Sequence, residues 1–161
     1  DIIRILRYCQ QTNSRVYPMK LNSIPKSIDI YGDIDHRDAK CPLESVEQIT
    51  FVSLVRKQYP DTHGITLYHP KNEGKLINGQ FTAITKDRAM GMSKGACDIV
   101  IVGSPAFCME VKRVDHTKSK ISEEQISYLI AAQQAGAFVC IALGHKAAIE
   151  AFNDWQKMLD K

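Results

Sequence analysis

The sequence has 161 residues, 44% of them hydrophobic, and a formal net charge of +3. This length and apolar content predict one domain with a substantial core and exclude two domains of ordinary size. No run of about 18 apolar residues and no signal-peptide pattern is found, so we expect a soluble protein with no membrane partner. The five cysteines, an odd number without the paired spacing of a zinc site, favour reduced thiols in the cytoplasm.

The N-terminal part of the chain predicts a short helix followed by an extended arm. Apolar residues recur between positions 2 and 11, whereas positions 17–40 contain Pro18, Pro25 and Gly32 and show no sustained period. Such an arm could wrap its own core, pair with a second subunit or contact nucleic acid, and wrapping is the favoured interpretation. We therefore separate an arm, residues 1–41, from a domain, residues 42–161.

A helix is predicted to begin at Pro42 and to end before Tyr59-Pro60. Its apolar stripe is expected to comprise Val46, Ile49, Val52, Leu54 and Val55. Residues 65–69 predict the first core strand. Glycine-containing segments then bracket residues 81–89, which form either a short helix or an irregular segment.

A hairpin with three charged residues follows. Two apolar runs flank a Gly-Ser-Pro turn at residues 103–105, a pattern typical of an antiparallel hairpin. If the hairpin folds about the centre of this turn, Asp98 and Glu110 lie directly opposite each other, with Cβ atoms about 5 Å apart. Because side chains alternate along a strand, Lys112 shares the face of Glu110, whereas Val111 points the other way into a core. Two acids and one lysine therefore converge.

This convergence predicts a metal site. Two facing carboxylates repel each other and raise each other's pKa unless a cation lies between them. Oxygen ligands without histidine or thiolate suit Mg²⁺ or Mn²⁺ rather than zinc. Lys112 could then orient a metal-bound water or stabilise charge that develops on a phosphate. The reaction that this arrangement predicts is hydrolysis of a phosphodiester.

A purely structural interpretation stays open at this point. Asp98 could begin a strand at a polar turn, and Glu110 and Lys112 could form the solvated face of an edge hairpin. An acid followed by an acid, a spacer and a lysine occurs often by chance, so the spacing alone does not decide.

The C-terminal part of the sequence completes an α/β pattern. After a polar loop at residues 115–120, Ser122 is a natural N-cap for a helix that ends at Gly136. Residues 138–143 are continuously apolar, as in a strand buried on both faces. The last helix carries core residues at helical spacing, which are Ala148, Ile149, Phe152, Trp155 and Leu159. The predicted fold is a mixed β-sheet flanked by helices.

The order of these motifs resembles a known nuclease family. Pro42-Leu43-Glu44 opens the first helix, His69-Pro70-Lys71-Asn72 follows the first strand, and Lys94-Gly95-Ala96-Cys97-Asp98 leads into the hairpin. Glu110-Val111-Lys112-Arg113 and Glu123-Glu124-Gln125 follow. Over residues 42–159 this order is similar to the VRR-NUC branch of the PD-(D/E)xK nucleases, in its short phage and bacterial form. The resemblance implies a restriction-endonuclease-like core.

The resemblance also implies roles for individual residues. Asp98, Glu110 and Lys112 match the family's catalytic residues, and the backbone carbonyl of Val111 is expected as a further metal ligand. A glutamate on the first helix completes the metal site; Glu44 fits it through its four-residue spacing to Gln48, with Glu47 as the alternative. Gln125 matches a glutamine near the site. The residue before Asp98 is usually proline in the family and is Cys97 here.

The expected function is that of a Mg²⁺- or Mn²⁺-dependent DNA endonuclease. The resemblance implies a homodimer that cuts branched DNA such as Holliday junctions, in a bacterial or phage-infected cell. Lys71, Asn72, Lys94 and Arg113 are the expected DNA contacts, and Lys94 and Arg113 belong to a lysine- and arginine-rich strip between Lys86 and Lys120. His69 could contact DNA or water, although a hydrogen-bonded structural histidine is favoured. A nuclease of linear duplex and a non-catalytic nucleic-acid-binding protein remain alternatives.

Overall fold

The computed structural model describes residues 16–70 and 81–159. Strands β1 (Val16–Pro18) and β2 (Asp29–Tyr31) precede helix α1 (Glu44–Gln58), the one-turn helix α2 (His63–Thr66) and strand β3 (Leu67–Tyr68). Helix α3 (Phe81–Ala89), strand β4 (Ile99–Ile101) and strand β5 (Phe107–Lys112) follow. The chain continues with β6 (Lys120–Ser122), α4 (Glu123–Gln134), β7 (Phe138–Leu143) and α5 (Gly144–Leu159).

A five-stranded mixed sheet organises the fold, in the order β2-β7-β5-β4-β3. Strands β2, β7 and β5 are parallel, whereas β4 is antiparallel to both β5 and β3. Strands β1 and β6 form a separate antiparallel pair. Helices cover both faces of the sheet, which confirms the predicted α/β fold with a mixed sheet flanked by helices.

The hairpin of β4 and β5 has the predicted register. Ile99 pairs with Met109 and Ile101 pairs with Phe107, so continuing the ladder by one residue places Asp98 opposite Glu110. Strand β5 is central in the sheet, and all six of its residues are buried. The alternative of a solvated edge hairpin is therefore wrong.

The two faces of the sheet bury separate clusters. Phe107, Met109 and Val111 of β5 pack with residues of α1 and α5, including Phe51 and Trp155. The opposite face buries a second cluster with α4 and the N-terminal segment, to which Met19, Ile28, Cys108, Leu129 and Ile141 belong. Phe107, Met109 and Val111 enter one cluster, Cys108 enters the other, and Glu110 and Lys112 are also buried, so β5 has no solvent-facing side.

Helix α1 forms where it is predicted but buries a different face. Phe51 and Val55 enter the core together with Glu47, whereas Val46 and Ile49 are exposed. Positions 47, 51 and 55 are four residues apart and share one face of the helix. The predicted stripe is wrong at Val46, Ile49 and Leu54, because it followed hydrophobicity alone and a buried glutamate occupies the inner face.

The N-terminal segment contains two strands where an irregular arm was predicted. Strand β2 pairs in parallel with β7 and forms one edge of the main sheet, and β1 pairs with β6. Met19, Ile24 and Ile28 are buried in the second cluster. Each strand has three residues, too few to show an alternating pattern in the sequence. The predicted helix at residues 2–11 lies outside the described residues.

Three local differences complete the comparison. The first core strand is shorter than predicted, since residues 63–66 form a helical turn before β3. Residues 81–89 are helical. The polar loop at residues 115–120 contains a 3-10 turn, His116–Lys118, that the Asp115 side chain caps. Within the two described segments, no helix has the length and apolar character needed to span a bilayer.

Candidate active site

Asp98, Glu110 and Lys112 come together where β4 begins and β5 ends. The backbone N–H of Val111 donates to Asp98 Oδ2 at 2.9 Å, which holds this carboxylate across the hairpin. Lys112 Nζ donates to Glu110 Oε1, also at 2.9 Å. Glu110 and Lys112 are two residues apart on one face of β5, so the ion pair follows from the alternation of the strand.

This ion pair is buried and incompletely satisfied. The Glu110 and Lys112 side chains are 1% and 2% exposed, respectively. Gln125 Nε2 donates a second hydrogen bond to Glu110 Oε1, whereas Glu110 Oε2 has no partner within the described part of the chain. A buried carboxylate oxygen without a donor is costly, because it has lost its hydration without replacement.

The electrostatics of the site reflect this burial. Burial, with a smaller contribution from Asp98, raises the pKa of Glu110 to about 8 despite the attraction of Lys112. Burial also raises the pKa of Asp98, opposed by the Val111 N–H. Burial would lower the pKa of Lys112, but Glu110 and Glu44 outweigh it and raise that pKa. The site therefore keeps its lysine charged and favours one proton or one cation between its acids.

The structure distinguishes the two glutamates of α1. Glu44 Oε2 lies 3.9 Å from Lys112 Nζ, so Glu44 faces the site. Glu47 is 2% exposed and turns towards α5, where its Oε2 accepts from the backbone N–H of His145 at 2.8 Å. The same oxygen lies 2.6 Å from Nδ1 of His145. Glu47 thus satisfies the N-terminus of α5, and Glu44 is the first-helix glutamate that approaches the lysine.

Gln48 and His69 support the backbone of Asp98. His69 Nδ1 lies 2.7 Å from the Asp98 carbonyl oxygen, and Gln48 Nε2 lies 3.4 Å from the same oxygen. A carbonyl oxygen only accepts, so His69 donates from Nδ1 in this contact. The spacing from Glu44 placed Gln48 on the correct helix face, but the 3.1 Å approach of Gln48 Nε2 to His69 Nδ1 joins residues 21 positions apart and depends on tertiary packing.

Helix α4 brings Gln125 to the site. Gln125 Oε1 accepts from the Ser122 N–H at 2.9 Å, and Ser122 Oγ accepts from the Gln125 N–H at 3.1 Å. Together the two hydrogen bonds form a capping box. The side chain is thereby fixed while its Nε2 donates to Glu110. The loop before Asp98 packs closely on this helix end, since a Cβ on Gly95 would lie 2.3 Å from the Glu124 carbonyl carbon. Sequence reasoning missed this requirement for Gly95, whose φ is +76°.

The predicted DNA contacts lie in different surroundings. Lys94 Nζ forms an ion pair with Glu124 Oε1 at 2.7 Å. Arg113 donates from Nε to the Pro42 carbonyl at 2.9 Å and from a terminal nitrogen to the Cys41 carbonyl. Arg113 therefore anchors the chain directly before α1 and Glu44. Lys71 and Asn72 lie outside the described residues.

The donor set fits a divalent cation with several water or phosphate ligands. Asp98 and Glu110 supply hard oxygens, and one oxygen of Glu110 has no hydrogen-bond donor among the residues that the structure describes. Across residues 16–70 and 81–159, no three His, Cys, Asp or Glu side chains are grouped for metal binding. Two carboxylates supplemented by a backbone carbonyl suit Mg²⁺, which retains water and binds few protein ligands.

Comparisons with known proteins identify the fold. Neither the protein-family models nor the curated protein sequences give a match. A solved structure described as a "VRR_NUC domain protein" matches with a TM-score of 0.57 and 17% sequence identity, over 73% of this chain and 91% of that chain. The chain therefore has a VRR-NUC-like fold, with a sheet and helices arranged as in that domain.

Proposed function

We propose that this protein is a Mg²⁺- or Mn²⁺-dependent endonuclease that hydrolyses phosphodiester bonds of DNA. The observation that carries the proposal is the pair of carboxylates, half-buried Asp98 and buried Glu110, with a Glu110 oxygen that accepts no hydrogen bond within the described residues and a charged Lys112 at 2.9 Å. A structural ion pair would be expected to satisfy its buried oxygens. The resemblance to VRR-NUC nucleases in the order of motifs and in the fold supports the same chemistry.

The cation would be held by Asp98, Glu110 and the backbone carbonyl of Val111, with Glu44 at the margin of the site. When bound, it would neutralise the carboxylates and supply Lewis acidity to the phosphate and to a water. The carboxylates of this site are preorganised: the Val111 N–H orients Asp98, and Gln125 orients Glu110. Such fixed ligands reduce the reorganisation that binding requires.

Lys112 carries the second part of the proposed mechanism. Its ammonium group is charged and buried beside Glu110 and Glu44, where a cation interacts strongly with a developing negative charge. Lys112 would orient the attacking water and stabilise the phosphate in the transition state. Gln48 and His69 hold the backbone of Asp98 and would act by positioning its carboxylate.

The basic strip would track the phosphate backbone. Within it, Lys94 is paired with Glu124, Lys112 is buried, and Arg113 donates to backbone carbonyls. The remaining cations, which are Lys86, Arg88, Lys118 and Lys120, have exposed side chains. These four residues are the better candidates for contacts with phosphates, and we propose branched DNA as the preferred substrate.

The test of catalysis compares Asp98→Ala with the exposed Asp61→Ala control. We expect Asp98→Ala to reduce cleavage at least about a hundredfold while DNA binding changes about threefold or less, because only the site for the cation is lost. Cleavage of four-way junction, flap, single-stranded and linear duplex DNA would be measured on gels with Mg²⁺, Mn²⁺ or chelator. Unchanged cleavage by the pure Asp98→Ala protein would refute the proposal.

The same measurements separate the alternatives. Preferential cleavage of linear duplex would favour a restriction or end-processing nuclease. DNA binding without cleavage of any substrate, with either metal, would favour a non-catalytic binding protein.

We further propose that the protein is a homodimer. Helix α1 and the residue before it expose four large apolar side chains, Leu43, Val46, Ile49 and Leu54, with exposed fractions of 41% to 64%. An apolar surface of this kind is typical of an interface, and a two-fold dimer suits the two symmetric scissile positions of a four-way junction. The four described cysteines are free and buried, which fits the proposed cytoplasmic location in a bacterial or phage-infected cell.

If the protein is a dimer, the Ile49→Glu substitution should lower its molecular mass in solution. A charge at this 64% exposed position would oppose burial in an interface, so light scattering with size exclusion should show a dimer for the natural chain and a monomer for the variant. Lys57→Glu, an exposed change on the same helix, is the charge control. A monomeric natural chain at micromolar concentration would refute the proposed dimer.

A further inference from the structure

A pocket of about 410 Å³ opens beside the candidate active site. It lies between the end of β3, the segment that follows α3 and the exposed side of α4. Its walls include two tyrosines, two methionines and a proline, which are Tyr68, Tyr128, Met90, Met92 and Pro70. The volume lies within the range of about 300–1,000 Å³ that is usual for small-ligand sites.

The pocket is contiguous with the site through three elements. Tyr68 and Pro70 flank His69, whose Nδ1 lies 2.7 Å from the Asp98 carbonyl oxygen. Ala96, another wall residue, precedes Asp98 by two positions. Tyr128 follows Gln125 by three residues on α4, so it lies on the side of the helix that carries the contact to Glu110. A ligand in the pocket would therefore adjoin a phosphate at the carboxylates.

The residues that line the pocket favour a nucleobase over a phosphate as its ligand. Aromatic rings provide flat surfaces on which nucleobases stack without regard to sequence, and polarisable thioethers make favourable contacts with aromatic rings. Among the described lining residues the charged side chain is that of Asp87, so the wall offers a phosphate no positive charge. Exposed Lys86 and Arg88 flank Asp87 in the sequence and could meet the phosphates outside.

The pocket is formed before any ligand arrives. Helix α3 ends with hydrogen bonds from the N–H groups of Met90, Gly91 and Met92 to the carbonyls of Lys86, Arg88 and Asp87, at 2.9, 3.0 and 2.8 Å. Gly91 has a φ of +104°, as expected for the residue that closes such a helix end. Tyr68 is nevertheless 50% exposed and Met90 is 75% exposed, so both present apolar surface to solvent that a ligand could cover.

We propose that this pocket receives one unstacked nucleobase of a DNA strand, next to the phosphodiester at the Asp98–Glu110 site. The proposal rests on the proposed nuclease function and deepens it, since it assigns a contact to the substrate strand. Extrusion of a base is easiest in single-stranded or imperfectly paired DNA, where less stacking and pairing is lost. The pocket thus provides a physical reason for a preference for branched over linear duplex DNA.

The test is a double-mutant cycle between protein and DNA. Oligonucleotides with a single abasic site, moved one nucleotide at a time, would be bound to the Asp98→Ala protein and to the same protein carrying Tyr68→Ala or Met90→Ala. The substrate is the DNA that the natural chain cuts best or, without cleavage, the DNA that it binds most tightly. We expect one abasic position to weaken binding about five- to hundredfold, as expected for the loss of one stacked base.

The protein variants decide whether that base occupies the pocket. Tyr68→Ala and Met90→Ala should weaken binding of intact DNA and remove its sensitivity to the same abasic position. Tyr68→Phe keeps the ring and should preserve that sensitivity, as should Met158→Ala, a 46% exposed methionine that does not line the pocket. If the abasic site and the protein substitution weaken DNA binding additively, in variants whose unfolding curves are unchanged, the proposal is overturned.

Cleavage by the natural chain, measured in parallel, separates this proposal from the nuclease function. If the natural chain cleaves DNA but the abasic site and the protein substitution weaken binding additively, only the base pocket is overturned. Coupled effects without cleavage support the pocket and overturn the nuclease function. Absence of both cleavage and DNA binding overturns both.

Discussion

Two buried glutamates, Glu110 on β5 and Glu47 on α1, are almost equally inaccessible at 1% and 2% exposure. They differ in their hydrogen-bond partners. Glu47 Oε2 accepts from both the backbone N–H and the ring Nδ1 of His145. Glu110 presents one oxygen to Lys112 and Gln125, and its other oxygen has no partner among the described residues.

This difference separates a structural carboxylate from a candidate ligand. Glu47 stabilises the fold because it caps the N-terminus of α5, where a negative charge is favoured. Glu110 adds an oxygen that has no donor in the described part of the chain and a raised pKa of about 8, both of which oppose folding of the metal-free protein near neutral pH. Burial alone therefore does not identify function, whereas burial without hydrogen-bond satisfaction indicates a missing partner.

The largest expected effect separates the two glutamates by activity. Glu110→Gln should reduce cleavage at least about a hundredfold, because an amide is a poor ligand for a divalent cation. Glu47→Met should leave cleavage within about threefold but lower the free energy of unfolding by about 1–3 kcal/mol, since the half-buried N–H of His145 loses its acceptor. Cleavage rates and urea unfolding of both variants check this contrast. Equal losses of activity at similar stability would abolish the distinction.

The second-largest expected effect is a pH dependence of the free energy of unfolding, caused by the titration of Glu110. Its pKa is raised from 4.5 to about 8, so the folded state retains a proton that the unfolded state has released. The free energy of unfolding in chelator should therefore contain a component that falls as pH rises from about 4.5 to about 8. Glu110→Gln should remove this component, and Glu47→Met should retain it. Urea unfolding at several pH values measures it.

Added Mg²⁺ provides an independent control. A cation favours the ionised carboxylates, so it should stabilise the natural chain most at the alkaline end of that range. If the pH-dependent component of the free energy of unfolding rises with pH, or persists in Glu110→Gln, its assignment to Glu110 is contradicted.

The smallest effect concerns the support of Asp98. His69→Asn can keep an N–H donor near the position of Nδ1, whereas His69→Gln places its amide near the position of Nε2. If His69 positions Asp98 through the 2.7 Å contact, Asn should keep cleavage within about threefold and Gln should lose about tenfold in kcat. KM should change little. The reverse pattern would indicate that Nε2 contacts the substrate directly.

The local parts of the site could be predicted from the order of the residues alone. Asp98, Glu110 and Lys112 lie within one hairpin, so a turn centre and a two-residue period sufficed to predict that they converge. The capping role of Ser122 was likewise predictable, because an N-cap and its partners lie within one helical turn. Gln125 was assigned to the site by resemblance, and the structure shows that the same side chain completes the cap.

Features that depend on distant parts of the chain could not be predicted in this way. Glu47 and His145 are 98 residues apart, and the choice between Glu44 and Glu47 depends on how α1 packs against β5 and α5. Strand β2 has too few residues to show a period, yet its pairing with β7 places it in the main sheet. The pocket beside Asp98 combines β3, the end of α3 and α4. Long-range packing sets these contacts, and hydrophobic periodicity carries no information about which elements meet.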